Sequence, residues 1–327
     1  MNTLKQVLVR SICAGTLALA ASSSALSQTY PEKPVRILVP FAAGGTVDIV
    51  ARLLGERFRQ TLGQTFIVEN RVGASGNIGT AAAAKSPGDG YTLILGAANT
   101  HAINPSLFKN AGYHALDDFT PISLIALAPN VMAINPSVPA NTVAEFIAYA
   151  KANPGKLNYG SIGSGSTLHM IAEMFKKVHG LFIVHIPYGG QGTLVQALAS
   201  KDVHVVFNNI SNVQALIKSN QLRGLAVTLP QRWPELPSVP TFAEAGVKGF
   251  EFSSWVALFG PAKMPPQVVE ILSRETVNAL KVPEIRTRIA SLGTVIVGSS
   301  AAELAKFQAD EVARWANVVK VSGATVD

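Results

Sequence analysis

Cysteine is almost missing from this chain of 327 residues: Cys13 is the only one. It falls in a segment where Lys5 and Arg10 precede an apolar run over 12–21 and small residues ending at Ala25, Leu26 and Ser27. That is the pattern of an export leader, residues 1–27, cleaved after Ser27. Arg10 and Ile12 do not suit lipid attachment at Cys13. The mature chain, starting at Gln28, would then hold no thiol, which excludes disulfides, zinc–thiolate sites and cysteine nucleophiles. The leader's apolar run is too short to cross a bilayer and no other segment is long enough, so the expected location is the periplasm.

Charge is sparse as well, at 14% of residues against 48% hydrophobic, which argues for a well-buried globular protein rather than disorder. Losing Lys5 and Arg10 with the leader takes the formal net charge from +7 to +5. No block of like charges concentrates the remainder, so nucleic acid is not an expected partner, while a diffuse positive field favours small anions. Catalytic patterns are missing too. There is no GxSxG elbow, and the six histidines show neither HExxH spacing nor close pairing with carboxylates. No metal, cofactor or enzymatic activity is expected.

What the chain does contain is VRILVPFAAGGTVDIVARLLGERF, an apolar strand running through a glycine turn into an amphipathic helix. Gly44 and Gly45 allow a tight turn, and the unpaired amides of the helix start face whatever lies in it. Phe41, Ala42 and Thr46 belong to the same turn. Asp48 either joins that cradle or only complements the helix dipole. A second unit, LNYGSIGSGSTLHMIAEMF, has the spacing of a phosphate loop, but Ser166 stands where its lysine would be. What remains is a set of hydroxyls and amides suited to a carboxylate: Ser161, Ser164, Gly165, Ser166 and Thr167. His169, in the first turns of the helix that follows, either bonds a ligand or is structural.

Strands alternate with helices in both halves, which predicts an α/β protein of two doubly wound, mostly parallel domains. The expected division is 28–127 with 229–327 for the first domain and 128–228 for the second, with Pro230 to Pro240 as the return crossing. Strand ends are where such sheets bind ligands. That rule adds Asn99, Thr100 and His101 in the first half and Tyr188, Gly189, Gly190, Asn208 and Ser211 in the second. Tyr188 reads equally well as a cleft wall or a core residue.

In chain order, YPEKPVRILVPFAAGGTVDIVARLL, ENRVGASGNIGT, SPGDGYTLIL, THAINPSLF, YGSIGSGSTLHM, VHIPYGGQGT and LPSVPTFAEAG resemble the tripartite tricarboxylate transporter substrate-binding family, the Bug receptors of the bacterial periplasm. The resemblance spans essentially the whole mature chain. It implies a type II periplasmic-binding-protein fold with a central cleft between two domains and two crossings that act as hinges. It also implies that a small organic acid seats its carboxylate between the loops 41–48 and 161–167, partly through water. Ala42, Gly44, Gly45, Thr46 and Asp48 would hold it from one side; Ser161, Ser164, Ser166, Thr167 and His169 from the other. The implied partners are membrane subunits of a tripartite tricarboxylate transporter, and the implied state is a monomer. A sensor subunit serving a signalling protein, or a periplasmic hydrolase using His169 or His101 beside a serine, are the alternatives. Two departures bear on the substrate: Ser164 replaces a frequent asparagine, and Gly189 a frequent lysine or arginine.

Overall fold

β-branched and leucine residues dominate Val35–Val39, and Val35, Ile37, Leu38 and Val39 are all buried, so this run forms a central strand, β1. The computed structural model describes residues 30–324 and 326, and the leader read at 1–27 lies outside them. Helix α1 (Thr46–Leu62) buries Val50, Ala51, Leu54 and Phe58 along one stripe and stops where Gly63, at φ 75°, returns its amide to the Arg59 carbonyl. β2 (Phe66–Asn70) then pairs parallel with β1. Helix α2 (Asn77–Ala84) carries the chain to β3 (Thr92–Ala97), parallel on the other edge of β1. Beyond β3 the chain makes a wide helical turn over Asn99–Ile103 and a short helix, α3 (Asn104–Leu107).

β4 (Phe119–Ile134) departs from the alternating plan. Its 16 residues reach about 50 Å at roughly 3.3 Å per residue, long enough to serve both halves of the molecule. After α4 (Val143–Ala152) the second half repeats the first: β5 (Asn158–Ser161) lies parallel to β6 (Val184–Pro187) and β7 (Val205–Asn209). Helices α5 (Thr167–His179) and α6 (Gln191–Ser200) make the crossovers, and α7 (Ile210–Lys218) leads to β8 (Arg223–Val227). β9 (Ser253–Pro261) returns antiparallel between β3 and β4. The tail is α8 (Pro266–Ala279), α9 (Pro283–Ala290), β10 (Val295–Ile296) and α10 (Ala301–Ser322), the last opened by a capping box of Ser300 and Glu303.

The sheet is therefore mixed rather than mostly parallel. Parallel pairs join β1 to β2 and β3, and β5 to β6 and β7; every pairing made by β4 and β9 is antiparallel. The crossover helices build each parallel set, and the two long strands close both sets without a helix between them.

β4 changes partners at one point. Pro129 is its last residue opposite β9, and Asn130 its first opposite β7. There the Thr228 hydroxyl donates to the Phe252 carbonyl and lies 3.1 Å from the Asn130 carbonyl, and the Asn130 amide returns a bond of 3.1 Å to it. The outgoing strand and both ends of the returning segment are stitched at one buried hydroxyl. Pro230 to Pro240, expected as the return crossing, instead packs on the second half, where Leu236 and Val239 join a core with Leu194, Val206 and Val213. The chain returns at Phe252. A larger core passes from Phe259 and Trp255 through Trp315 and Phe252 to Phe250, Phe175 and Phe207, in both halves.

Candidate functional site

The loops that leave the C-terminal ends of the parallel strands face one cavity of about 570 Å³, a usual size for a small-molecule site. Phe41, Ala42, Gly45 and Thr46 come to its wall from the loop after β1, and Asn99 from the end of β3. Ser164, Ser166 and Thr167 come from the loop after β5, and Asn209, Ser211 and Asn212 from the end of β7. Trp255 and Val256 of β9, with Leu292, supply apolar wall. This is the crevice at strand ends where open α/β sheets bind ligands.

Helix starts converge on it. The first residues or N-caps of α1 (Gly45, Thr46), α2 (Gly76), α5 (Ser166, Thr167), α6 (Gln191) and α7 (Asn209) all line the cavity. Each presents unpaired amides and the positive end of a helix dipole. Among the described residues that line it there is no Lys, Arg, His, Asp or Glu. The wall is positive by its backbone alone, which suits an anion held by amides and hydroxyls.

The first loop is braced by a charged network behind the wall. Asp48, 2% exposed, accepts from the Gly44 amide at 2.9 Å, from Arg52 Nε and Nη2 at 3.0 and 2.9 Å, and from Asn70 Nδ2 at 3.0 Å. Asn70 Nδ2 also reaches the Phe41 carbonyl at 3.0 Å, so both ends of the turn are tied to one carboxylate. Burial pushes the Asp48 carboxyl up, but the bonds from Arg52, Gly44 and Asn70 outweigh it and hold it below 3.8. Gly44 sits at φ 84°, the left-handed region, which lets its amide turn inward to Asp48.

Neutral groups brace the second loop. The Gly165 amide donates to His169 Nδ1 at 3.2 Å, and Ser161 Oγ lies 2.7 Å from His185 Nε2 and accepts from the Gly163 amide at 3.1 Å. Ser166 caps α5, its hydroxyl accepting from the His169 amide at 3.3 Å and donating to the Gly163 carbonyl at 2.7 Å. The rings of Tyr159, His185 and His169 stack in sequence, at 4.7 and 4.5 Å between successive centroids. Burial, helped by the neighbouring His169, pushes the His185 imidazole down to about 4. Burial also lowers His169, although Glu173 pulls the other way. Burial thus favours the neutral form of both rings, and His169 Nδ1 is the acceptor that holds the Gly165 amide.

The candidates named from sequence fall into three groups. Phe41, Ala42, Gly45, Thr46, Asn99, Ser164, Ser166, Thr167 and Ser211 line the cavity. Gly44, Asp48, Ser161, Gly165 and His169 stand behind it as the braces just described. Thr100, His101, Tyr188, Gly189, Gly190 and Asn208 are neither on the wall nor among those braces. His101 is fully buried, stacked on Phe259 at 4.3 Å and against Phe119 at 4.6 Å, with Nδ1 2.9 Å from the Thr100 hydroxyl. The helical turn after β3 brings Asn99 to the wall and rotates the next two side chains into the core. Tyr188 packs against the second-half core, and Asn208 is buried, accepting from Asn212 at 3.1 Å. Gln191, Asn209, Asn212, Ser254, Trp255, Val256 and Leu292 also line the cavity; Gln191 stands in the VHIPYGGQGT motif beside Gly189 and Gly190, the rule that strand ends face the ligand would have found Asn209 and Asn212, and the other four carry no motif.

Residues 50–324 match the profile of the tripartite tricarboxylate transporter family receptor. The protein BugT of Bordetella pertussis is 36% identical over 325 residues, 99% of each chain. An R. palustris protein solved with adipate superposes with a TM-score of 0.79 at 37% identity, covering 90% of this chain and 99% of that one. MatC of Rhodopseudomonas palustris with bound malate gives 0.78 at 31% identity, over 89% and 100%. The relatives match over almost the whole chain, and this chain belongs to the tripartite tricarboxylate transporter receptor family and has its periplasmic-binding-protein fold.

Proposed function

We propose that this protein is an extracytoplasmic receptor that captures one small organic carboxylate in the cavity and releases it, unchanged, to membrane subunits of a tripartite tricarboxylate transporter. The observation that carries the reading is the convergence of helix starts on a wall whose described residues carry no ionisable side chain. The adipate and malate in the two similar R. palustris structures support it. The carboxylate sits between Gly45 and Thr46 on one side and Ser164, Ser166 and Thr167 on the other. Asp48, Ser161 and His169 hold these loops rather than the ligand. In this reading the chain is exported, cleaved after Ser27, acts as a monomer, and closes about hinges at Asn130 and Phe252 between one domain, 33–129 with 253–324, and another, 130–252.

Each helix start contributes about 0.3–1 kcal/mol, up to ~2 when partly buried, and each hydrogen bond to the charged group about 1.5–3 kcal/mol. After the cost of immobilising ligand and domains, micromolar affinity, about −8 kcal/mol, is the expected net. Calorimetric titration of the mature chain, refolded to remove carried-over ligand, with malate, adipate, tricarboxylates and aromatic acids tests it. One-to-one saturable heat without turnover is expected. A folded protein silent across the panel would sink the carboxylate reading.

A further inference from the structure

The positive charge that looks diffuse along the chain is gathered by the fold at one end of the second half. Residues 146–201 hold five lysines, Lys151, Lys156, Lys176, Lys177 and Lys201, and one acid, Glu173, a net of +4 out of the +5 carried by residues 28–327. Lys151 stands in the last turn of α4, Lys176 and Lys177 in the last turn of α5, and Lys201 is the C-cap of α6. Lys156 lies in the loop that enters β5. Because β5, β6 and β7 run parallel, these helix ends and strand entries share the end of the sheet away from the cavity, which is lined from the strand exits. Lys176 is paired with Glu173 at 2.6 Å. Lys151, Lys156, Lys177 and Lys201 are exposed and enter no ion pair among the described residues. The flanking acids, Glu145 and Asp202, are bonded to the Asn141 amide and the Ser200 hydroxyl.

Lysines at helix C-termini complement the helix dipoles, but that does not account for the apolar side chains standing among them. Phe182 is 65% exposed, more than any other large apolar side chain among the described residues. Its carbonyl accepts from the Gly155 amide at 2.8 Å, and its ring lies so close to Gly155 that a Cβ there would meet it at 3.0 Å, which seats it beside Lys156. Val184 projects on the same side as Phe182, since Ile183 between them is buried, and exposed Val178 neighbours Lys177 in the last turn of α5. Lys151 reaches this corner from α4: after burial, its charge is what lowers the His179 imidazole. β6 is the edge strand, so no strand of the sheet continues past it to cover Val184.

We infer that this corner is a docking surface for anionic lipid headgroups, with Phe182 entering the bilayer interface and Lys151, Lys156 and Lys177 meeting phosphates. An aromatic anchor among lysines on flexible stems suits a fluid layer of dispersed charges. Arginine, whose fixed fork pairs with individual carboxylates, is missing from residues 146–201, which favours lipid over an acidic protein. The corner and the cavity lie at opposite ends of β5 and β7, so lipid and a carboxylate are held at the same time.

Sedimentation of the chain without its leader with vesicles tests this, using phosphatidylcholine alone and phosphatidylcholine mixed equally with phosphatidylglycerol. Binding is expected to the mixed vesicles only, and to vanish near ~0.5 M salt. Replacing Lys151, Lys156 and Lys177 together by glutamine should weaken it about 100-fold, near fivefold for each lysine, and Phe182→Ser about fivefold. The affinity of each variant for malate or adipate should stay that of the unaltered chain. Equal binding to both kinds of vesicle, no binding to the mixed ones, or a triple variant that sediments like the unaltered chain would overturn the inference. Salt-sensitive retention on polyglutamate without vesicle binding, lost in the triple variant, would also overturn it and assign the corner to an acidic protein. The vesicle assay contains no carboxylate ligand, so its failure leaves the receptor reading in place.

Discussion

The two loops that face each other across the cavity do the same work with opposite chemistry. The loop after β1 is tied down by an ion pair: one buried carboxylate, Asp48, gathers Arg52, Asn70 and the Gly44 amide. The loop after β5 is tied down by neutral acceptors, His169 Nδ1 for the Gly165 amide and the Ser161 hydroxyl beside His185. In both cases the bracing groups stand behind the wall, so the described residues that face the cavity show it only amides, hydroxyls and apolar side chains. Charge can thus shape a cavity wall without entering it. The contrast also predicts that the two loops fail under different conditions.

The largest effect expected from a single change is Gly45→Val. Gly45 has φ −76°, and a Cβ there meets nothing nearer than the Ala42 carbonyl at 3.6 Å. The fold should keep its unfolding midpoint while the branched side chain fills the mouth of the first loop and abolishes binding of malate or adipate. Retained affinity would show that the first loop does not grip the ligand. Gly44→Val makes the contrast sharper: at φ 84° the side chain is strained by about 1–2 kcal/mol, so stability should fall together with binding.

Asp48→Ala comes next. It leaves the Gly44 amide, Asn70 and Arg52 without their common acceptor, and although Arg52 is half-exposed and rehydrates, a loss of about 2 kcal/mol is expected in denaturant unfolding. His169→Phe keeps a ring in the stack while removing the acceptor of the Gly165 amide, and should cost less, about 1 kcal/mol. Equal costs would erase the asymmetry between the loops.

Acid separates the loops by condition rather than by mutation. Because His185 and His169 titrate lower in the fold than the ordinary 6.5, the stability they confer is complete above that value and drains as pH falls toward their folded values, about 4 for His185. Tyr159 and the Glu173–Lys176 pair, 2.6 Å apart, are the other titratable groups packed on these rings. Asp48, held below 3.8, keeps its contribution until the pH falls past that value. Fully buried His101, pushed to about 3 by burial, adds a global loss over the same acid range as the histidine pair, so the informative readout is local. Between pH 7 and 5, amide hydrogen exchange should accelerate at residues 163–166 relative to residues 43–46, after correction for intrinsic rates. Parallel acceleration would contradict the separate bracing. The smallest expected effect is Ser161→Ala, about 0.5–1 kcal/mol, since His185 and the Gly163 amide both lie near enough to solvent to find water.

Both cradle loops were legible in the sequence because each is a local event: an apolar strand, glycines where the chain must turn, and hydroxyls or an acid at the helix start. The mixed sheet was not. β4 carries Pro121 and Pro129, which read as breaks, and nothing local announces that 119–134 will pair with a strand more than a hundred residues later. The same limit explains the site. Asn99 was found by the strand-end rule, but Thr100 and His101 turn inward because a helical turn rotates each successive side chain by about 100°. Trp255 and Leu292 reach the wall through tertiary packing, for which single-sequence patterns carry no signal, whereas Gln191 stands in the VHIPYGGQGT motif next to Gly190.

The most direct test of the account is an amide NMR titration of the mature protein with malate and, separately, adipate. The account predicts that the amides of Gly45 and Thr46 and those of Ser166 and Thr167 shift together and report one dissociation constant. Shifts confined to one loop, or centred away from both, would contradict the claim that two oppositely braced loops hold one anion.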